Sequence, residues 1–541
     1  MKNILIILLV SILYCCSTKE QVDLIVTNSN TYTVNADFQK AEAFAVNDGK
    51  FVAVGTSDDI LSKYSADSIV DANTHTIVPG FIDAHCHFLG LGQNQRAVDL
   101  VGTTSFEEVV KRVIDFQNKR KQKFIKGRGW DQNDWEEMKF PNKKLLDNLF
   151  PNIPIALERV DGHALLCNQA ALDLGKVTID TKVDGGEIIV ENGELTGVLI
   201  DNAQLFVENA WPRESRDDTV RALLDAQSIC FSYGLTTVDD AGLSIKATEI
   251  IDSLNQTGDL NIRIYAMVSA TFNNIDHFLE KGIVKTDKLN VRSFKFYADG
   301  ALGSRGALLR APYSDSPHQY GLMRNSIETL NQMAERIVNS EFQMNSHAIG
   351  DSANHAILQT YKRVLQNKPG RRWRIEHAQV VSPEDFELFE DIIPSIQPTH
   401  ATSDMYWAED RLGPDRVKGA YAFKQLLDSY GKVALGTDFP VEFVNPFYTF
   451  YAAVARQDLK GYPDNGYQME NALSREETLK GMTIWAAHSN FEEDEKGSIE
   501  AGKFADFIIL NKDIMTVPVE TIPDMKVLST YVAGEMQYQA N

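Results

Sequence analysis

The hydrophobic positions change period along the chain. Between residues 22 and 79 they alternate with polar positions or run in short blocks, as in Ala43-Phe-Ala-Val46 and Phe51-Val-Ala-Val54 around Asn47-Asp48-Gly49. Asp-Gly between two such runs predicts a hairpin, because both central residues of its tight turn need positive φ. The last stretch reads alike, with Phe507-Ile-Ile-Leu510 followed by Val527 to Tyr538 and Gly534 at a turn. Strand-rich ends around a different middle predict one small β-sandwich domain built from residues 20–79 and 489–541.

The middle alternates strand-like and helix-like segments. Candidate strands begin at Phe81, Leu235, Ile262, Val291, Phe342, Trp373, Ile393 and Lys432. Helix-start signals fall between them: Asn325 with Glu328, Ser382-Pro383 with Asp385, and Ser474 with Glu477. These are the marks of N-caps, capping boxes and proline in a first turn. The fold class predicted is α/β, a (β/α)8 TIM-like barrel of parallel strands over residues 80–488. Residues 88–220 are too many for one strand-to-strand crossover and read as an insertion subdomain over the barrel mouth.

The first residues do not fit that pattern. Lys2, an apolar run from Ile4 to Tyr14 and then Cys15-Cys16-Ser17 make a secretory signal too short to span a membrane. Ending on cysteine, residues 1–16 resemble a bacterial lipoprotein signal, with Cys16 the lipidated residue. Leu13-Tyr14 stand where small residues are usual, so Cys15 remains an alternative, as does an ordinary cleaved signal. The expected location is exported and lipid-anchored to a bacterial membrane, on the periplasmic or cell-surface side. Beyond the signal only Cys86, Cys167 and Cys230 remain, too few and too scattered for a disulfide framework. The net charge of −22 argues against a nucleic-acid partner, which calls for basic stripes.

Candidate chemistry sits at strand ends. His85 and His87 flank Cys86, so in a strand they share one face. Alone, such a pair is either a chelate or two satisfied histidines. His347, His377 and Asp438 end three other candidate strands, and barrel active sites collect at C-terminal strand ends. Imidazole and carboxylate donors suit Zn²⁺ and its first-row neighbours. In Ser293-Phe-Lys-Phe-Tyr-Ala-Asp299, alternation puts Lys295 on the barrel-facing side with Tyr297 and Asp299. A lysine there is either ion-paired, for instance with Asp299, or converted by CO₂ to an anionic carbamate ligand.

Together "PGFIDAHCH", "SFKFYADGALGSRGA", "SHAIGD", "IEHAQ" and "GTDFPV" resemble the type-3 branch of the amidohydrolase superfamily, which includes N-substituted formamide deformylase. "RVDGHALLCNQAAL" and "GSIEAGKFADFIIL" extend the likeness over almost the whole chain after the signal. The resemblance implies one or two divalent ions, zinc by preference. His85, His87 and Asp438 would hold one ion, His347 and His377 the second, and carbamylated Lys295 would bridge them. Asp438 would be the catalytic residue, orienting a metal-activated hydroxide and passing its proton to the leaving nitrogen. The implied activity is hydrolysis of a non-peptide, amide-type C–N bond, with N-substituted formamides or related amides as substrates. A deaminase or cyclic amidase of the same superfamily is the first alternative, and a non-catalytic lipid-anchored binding protein the second.

Substrate contacts are expected from Trp130, His163, Arg305, His400, Asp404 and Trp407, with Arg128 and Arg411 in nearby loops. His163 and His400 read equally as structural histidines, and the tryptophans as insertion core. The expected partners are a small-molecule amide and, through the anchor, a membrane. A homodimer is also open.

Overall fold

Eight strands run parallel in chain order: β1 (Phe81–Cys86), β2 (Leu235–Leu243), β3 (Arg263–Ser269), β4 (Leu289–Tyr297), β5 (Gln343–Ala348), β6 (Arg374–His377), β7 (Ile393–Ile396) and β8 (Ala434–Leu435). The computed structural model describes residues 19–159, 164–183, 186–212, 215–303 and 305–541. The leader with Cys15 and Cys16, and His163, lie outside the described residues.

Just past β8 the chain returns to β1 and nearly closes the barrel. The Asp438 amide donates to the His85 carbonyl at 2.8 Å, and the Thr437 amide and hydroxyl donate to Asp83 at 3.0 and 2.7 Å. Gly436 permits the approach, since a Cβ there would lie 2.5 Å from the His85 nitrogen. Alternation on β4 falls as its sequence requires. Phe294 packs against Phe342 at 5.0 Å between ring centroids, whereas Lys295 is buried on the opposite face.

Strands from both chain ends pair with one another. Phe507–Leu510 runs antiparallel to Thr76–Pro79 and to Val527–Val532 in a six-stranded sheet. A four-stranded sheet holds Glu20–Thr27, Ala43–Asn47, Lys50–Gly55 and Tyr64–Asp71. Phe44 and Phe51 of one sheet and Phe507 and Tyr531 of the other share a core, with the last two rings stacked at 4.4 Å. The Asn47–Lys50 hairpin forms with Asp48 at φ 48° and Gly49 at φ 74°, the positive pair its turn demands.

Two compact units emerge. Among the described residues the first comprises the chain up to Cys86, Ser228–Ile245 and Asn261–Asn541, and so takes in the barrel strands and the end sheets together. Arg263 of β3 ties them, donating to both oxygens of Asp506 at 2.6 and 2.9 Å. The second unit is His87–Gln227 with Lys246–Leu260, larger than the insertion read from the sequence. It has its own six-stranded sheet and a core of Val98, Leu100, Val113, Trp130, Trp135 and Leu157.

Helix starts follow the sequence with one shift. The Ser474–Glu477 capping box forms around Arg475–Gly481, and Ser382 precedes a 3-10 helix with Pro383 in its first turn. At Ile327–Ile337 the cap is Ser326, not Asn325. Ser326 accepts from the Thr329 amide, while Asn325 donates to the Tyr297 carbonyl at 3.0 Å.

Candidate active site

The C-terminal ends of β1, β4, β5 and β6 and the turn after β8 bring His85, Lys295, His347, His377 and Asp438 together. The ring of His377 lies 4.9 Å from that of His85 and 4.5 Å from that of His347. His85 Nε2 is 3.1 Å from Lys295 Nζ and 3.6 Å from Asp438 Oδ1. His87 follows Cys86, the last residue of β1, as the N-cap residue of a short helix, with φ −121° and ψ 74°. His377 and Asp438 take left-handed backbone, at φ 76° and 62°. Such conformations are sparse outside glycine and gather at functional sites.

Burial governs the charge states. It pushes the imidazolium pKa of His85 down to about 4 and that of His347 to about 3, with Lys295 adding repulsion, and holds His377 well below its usual value. All three rings are therefore neutral at pH 7 and have lone pairs to offer. Burial also lowers Lys295, to about 8. Among the described residues no carboxylate comes within ion-pair distance of Lys295. Asp299, its expected partner, instead accepts the amides of Leu308, Ile349 and Gly350 at 2.8, 3.0 and 2.8 Å. Lys295 is thus a buried amine beside neutral imidazoles.

Whether this set fits a metal is tested by its unsatisfied atoms. His347 Nε2 and His377 Nδ1 are buried without a hydrogen-bond partner among the described residues, as are both polar atoms of Asn345, two positions before His347. Buried polar atoms are almost always paired, so orphans grouped in one place point to a missing ligand. Neutral imidazole nitrogens and a carboxylate are donors for a first-row divalent cation. The residues fit.

His400 lies in helix Pro398–Asp404 rather than at the end of β7, because Pro398 opens a helix at that point. Its ring still reaches the site. Nε2 is 3.2 Å from Asp438 Oδ2, Nδ1 is 3.2 Å from Glu442 Oε1, and Ser403 donates to the same Glu442 oxygen at 2.6 Å. Burial alone would lower its pKa, but the two carboxylates raise it to about 10. Donor atoms of His377, His400 and Asp438 all lie within 4.8 Å of one another. His85 is held in the same manner, with Nδ1 2.6 Å from Glu376 Oε2. Two glutamates therefore clamp the two histidines that flank Asp438.

The remaining expected substrate residues divide. Trp130 is a correction: it is fully buried in the insertion core, its indole donating to the Leu157 carbonyl at 2.7 Å. Arg305 is engaged by Asp315 through two bonds of 3.1 and 2.8 Å, and Arg411 shares that carboxylate. Trp407 is half-buried against the Arg411 guanidinium, with Gly303 leaving room for its ring. Asp404 accepts from Tyr421 at 2.7 Å and from Gln379 at 3.2 Å. Exposed Arg128 is 3.7 Å from Glu158.

Glu376, Arg374 and Glu442 escaped the reading of the sequence. A signal existed for the first two, since opposite charges at alternate positions of a strand buried on both faces must pair inside the barrel. For Glu442 there was none, as its contact depends on how the turn after Asp438 folds.

A parallel barrel with this constellation at its C-terminal end defines a metal-dependent hydrolase, and the whole chain agrees. The amidohydrolase family model matches residues 68–538, and the chain belongs to that family, in its type-3 branch. It is an enzyme acting on carbon–nitrogen bonds other than peptide bonds. The protein LONG AFTER FAR-RED 3 of Arabidopsis thaliana is 33% identical over 95% of this chain and 91% of its own. N-substituted formamide deformylase of Arthrobacter pascens is 26% identical over 96% of this chain and 98% of its own. The crystal structure of an uncharacterized metal-dependent hydrolase from Pyrococcus furiosus matches with a TM-score of 0.77 at 27% identity, covering 91% of this chain and 100% of that one.

Proposed function

We propose that this amidohydrolase cleaves the amide bond of small molecules, with N-substituted formamides and related amides as substrates, releasing an amine and a carboxylic acid. The observation that carries the reading is the convergence of His85, Lys295, His347, His377 and Asp438, with His347 Nε2 and His377 Nδ1 buried without a hydrogen-bond partner among the described residues. The likeness to a formamide deformylase over nearly the full length supports the substrate class.

The assigned ligands are His85, His87 and Asp438 for one divalent ion and His347 and His377 for a second, with zinc suited to both sets. When bound, such a cation polarises a carbonyl and acidifies water. Asp438 accepts a proton from the attacking water on a carboxylate oxygen and returns it to the leaving nitrogen. His400, held by Glu442, keeps that carboxylate in place and faces the substrate with Trp407. Lys295, as a carbamate, would add an anionic oxygen donor to the ligands of both ions. Its neutral amine adds to the carbon of CO₂, an N–H proton leaves to solvent, and an anionic oxygen pair results. Burial of Lys295 favours the neutral amine that this addition needs, against the pull of the Glu376 and Asp438 carboxylates.

In the cell the chain is proposed to be exported and held to a bacterial membrane by lipid on Cys16, on the strength of the leader's basic, apolar, cysteine order. Among the described residues no helix is long and apolar enough to cross a membrane. Absence of lipid from both Cys15 and Cys16 in the mature chain contradicts the anchor.

The activity is tested by a turnover screen of N-formyl, N-acyl and cyclic amides with the metal-loaded chain. Amine and acid in equal amounts support the proposal. Ammonia release would assign a deaminase, and ring opening alone a cyclic amidase.

A further inference from the structure

Beneath the proposed ligands lies a chain of buried charges that takes no part in the chemistry above. Arg374 and Glu376 sit at alternate positions of β6, both fully buried. Arg374 Nε donates to Glu376 Oε1 at 2.8 Å. Its Nη1 reaches Asp239 of β2 at 2.9 Å and Asn490 at 3.1 Å, and its Nη2 reaches the Ala84 carbonyl of β1 at 2.5 Å and Ser395 of β7 at 3.3 Å. The guanidinium is thus fixed from four strands of the barrel. Glu376, held on one oxygen, presents the other to His85 Nδ1 at 2.6 Å.

An ionised carboxylate can only accept, so Nδ1 of His85 carries the proton and Nε2 keeps the lone pair, aimed at Lys295 and Asp438. The tautomer and the ring angle of His85 are both fixed before any ligand arrives. His377 differs. Its ring has no hydrogen-bond partner among the described residues, and its Nδ1 is buried without one. Stability alone gives no reason for the ion pair, since apolar side chains of similar volume serve a barrel interior as well or better. What an apolar pair cannot do is hold the imidazole.

We infer that Glu376, fixed by Arg374, is a positioning residue that orients His85 and makes the His85 half of the centre the tighter of two divalent-cation sites. The inference rests on the proposed metal centre. A carboxylate behind a ligating histidine sets its tautomer and raises its basicity, and losing such a partner costs about 10–100-fold in metal affinity.

The test strips the full chain with a chelator and titrates Zn²⁺ against a chromophoric competitor, for the wild type, Glu376→Gln and Glu376→Asp, with thermal unfolding of each followed in parallel. Two unequal affinities are expected in the wild type. Glu376→Gln should weaken the tighter one by about 10–100-fold and leave the other in place. Glu376→Asp, which keeps the charge, should restore part of the loss. Unchanged affinities in a folded Glu376→Gln chain overturn the inference, as does equal weakening of both sites. A wild-type chain that takes up no Zn²⁺ is a separate result, and it removes the proposed metal centre itself.

Discussion

Two polar clusters are buried in the same barrel, and they differ in how completely they are satisfied. Around Arg374 the donors meet Glu376, Asp239, Asn490, Ser395 and a main-chain carbonyl, and Asn490 closes the circle by donating to Asp239 at 2.6 Å. Nearer the strand ends, His347 Nε2, His377 Nδ1 and both polar atoms of Asn345 lack hydrogen-bond partners among the described residues. Both clusters are costly to bury, and each unmatched polar atom costs about 1–3 kcal/mol. The first offsets that cost internally and so serves the fold and the posture of His85. The second leaves it standing, which makes sense where a ligand completes the set. Saturation, more than the count of charged residues, separates scaffold from site.

That contrast can be broken from either side. Asp438→Asn keeps the shape and one oxygen but cannot take up a proton at neutral pH. It should lower kcat by about 10²–10⁴-fold with a much smaller change in KM, measured by steady-state kinetics on a confirmed amide. Near-normal turnover would remove Asp438 from the reaction. Arg374→Met should act on the fold instead. It strands Glu376 and Asp239 as buried, unpaired acids and should cost about 3–5 kcal/mol of stability, read as a lower Tm of metal-free protein.

A smaller effect sharpens the same point in a third cluster. Glu492 is buried against Lys285 at 2.6 Å and Lys496 at 2.5 Å. Burial raises its pKa, but the two lysines outweigh that and hold it at about 2, against 4.5 when free. A carboxylate depressed on folding stabilises the native state fully above its unfolded pKa and loses that contribution as pH falls through the folded one. The gap in Tm between wild type and Glu492→Gln should therefore be widest above pH 5 and narrow from about pH 4.5 towards 2. A gap that stays constant over that range would show that the pair does not set the pKa.

The parts of this picture legible in the sequence were those with a period. Two-residue alternation put Lys295 opposite Phe294, and strand–helix alternation located all eight barrel strands. The failures came where a local signal admits two readings or none is present. Trp130 fits a binding pocket and a core equally well on paper, and the insertion needs its bulk. His400 follows the β7 run by a few residues and so looks like a strand-end residue, but Pro398, two positions before it, opens a helix. Arg374 and Glu376 were visible as charges in a buried strand, but their role needs the three-dimensional link to His85. Glu442 meets His400 through the fold of a turn, which no periodicity encodes.

The central claim is that the unsatisfied cluster is completed by divalent metal. Its most direct test is the metal content of the full chain, measured by mass spectrometry after loading with zinc and bicarbonate, beside a His347→Ala, His377→Ala double variant. One to two ions per wild-type chain are expected, with the content falling in the double variant while its Tm without metal stays close to that of the metal-free wild type. A folded wild-type chain that retains no ion, or a double variant that retains as many as the wild type, would contradict the account.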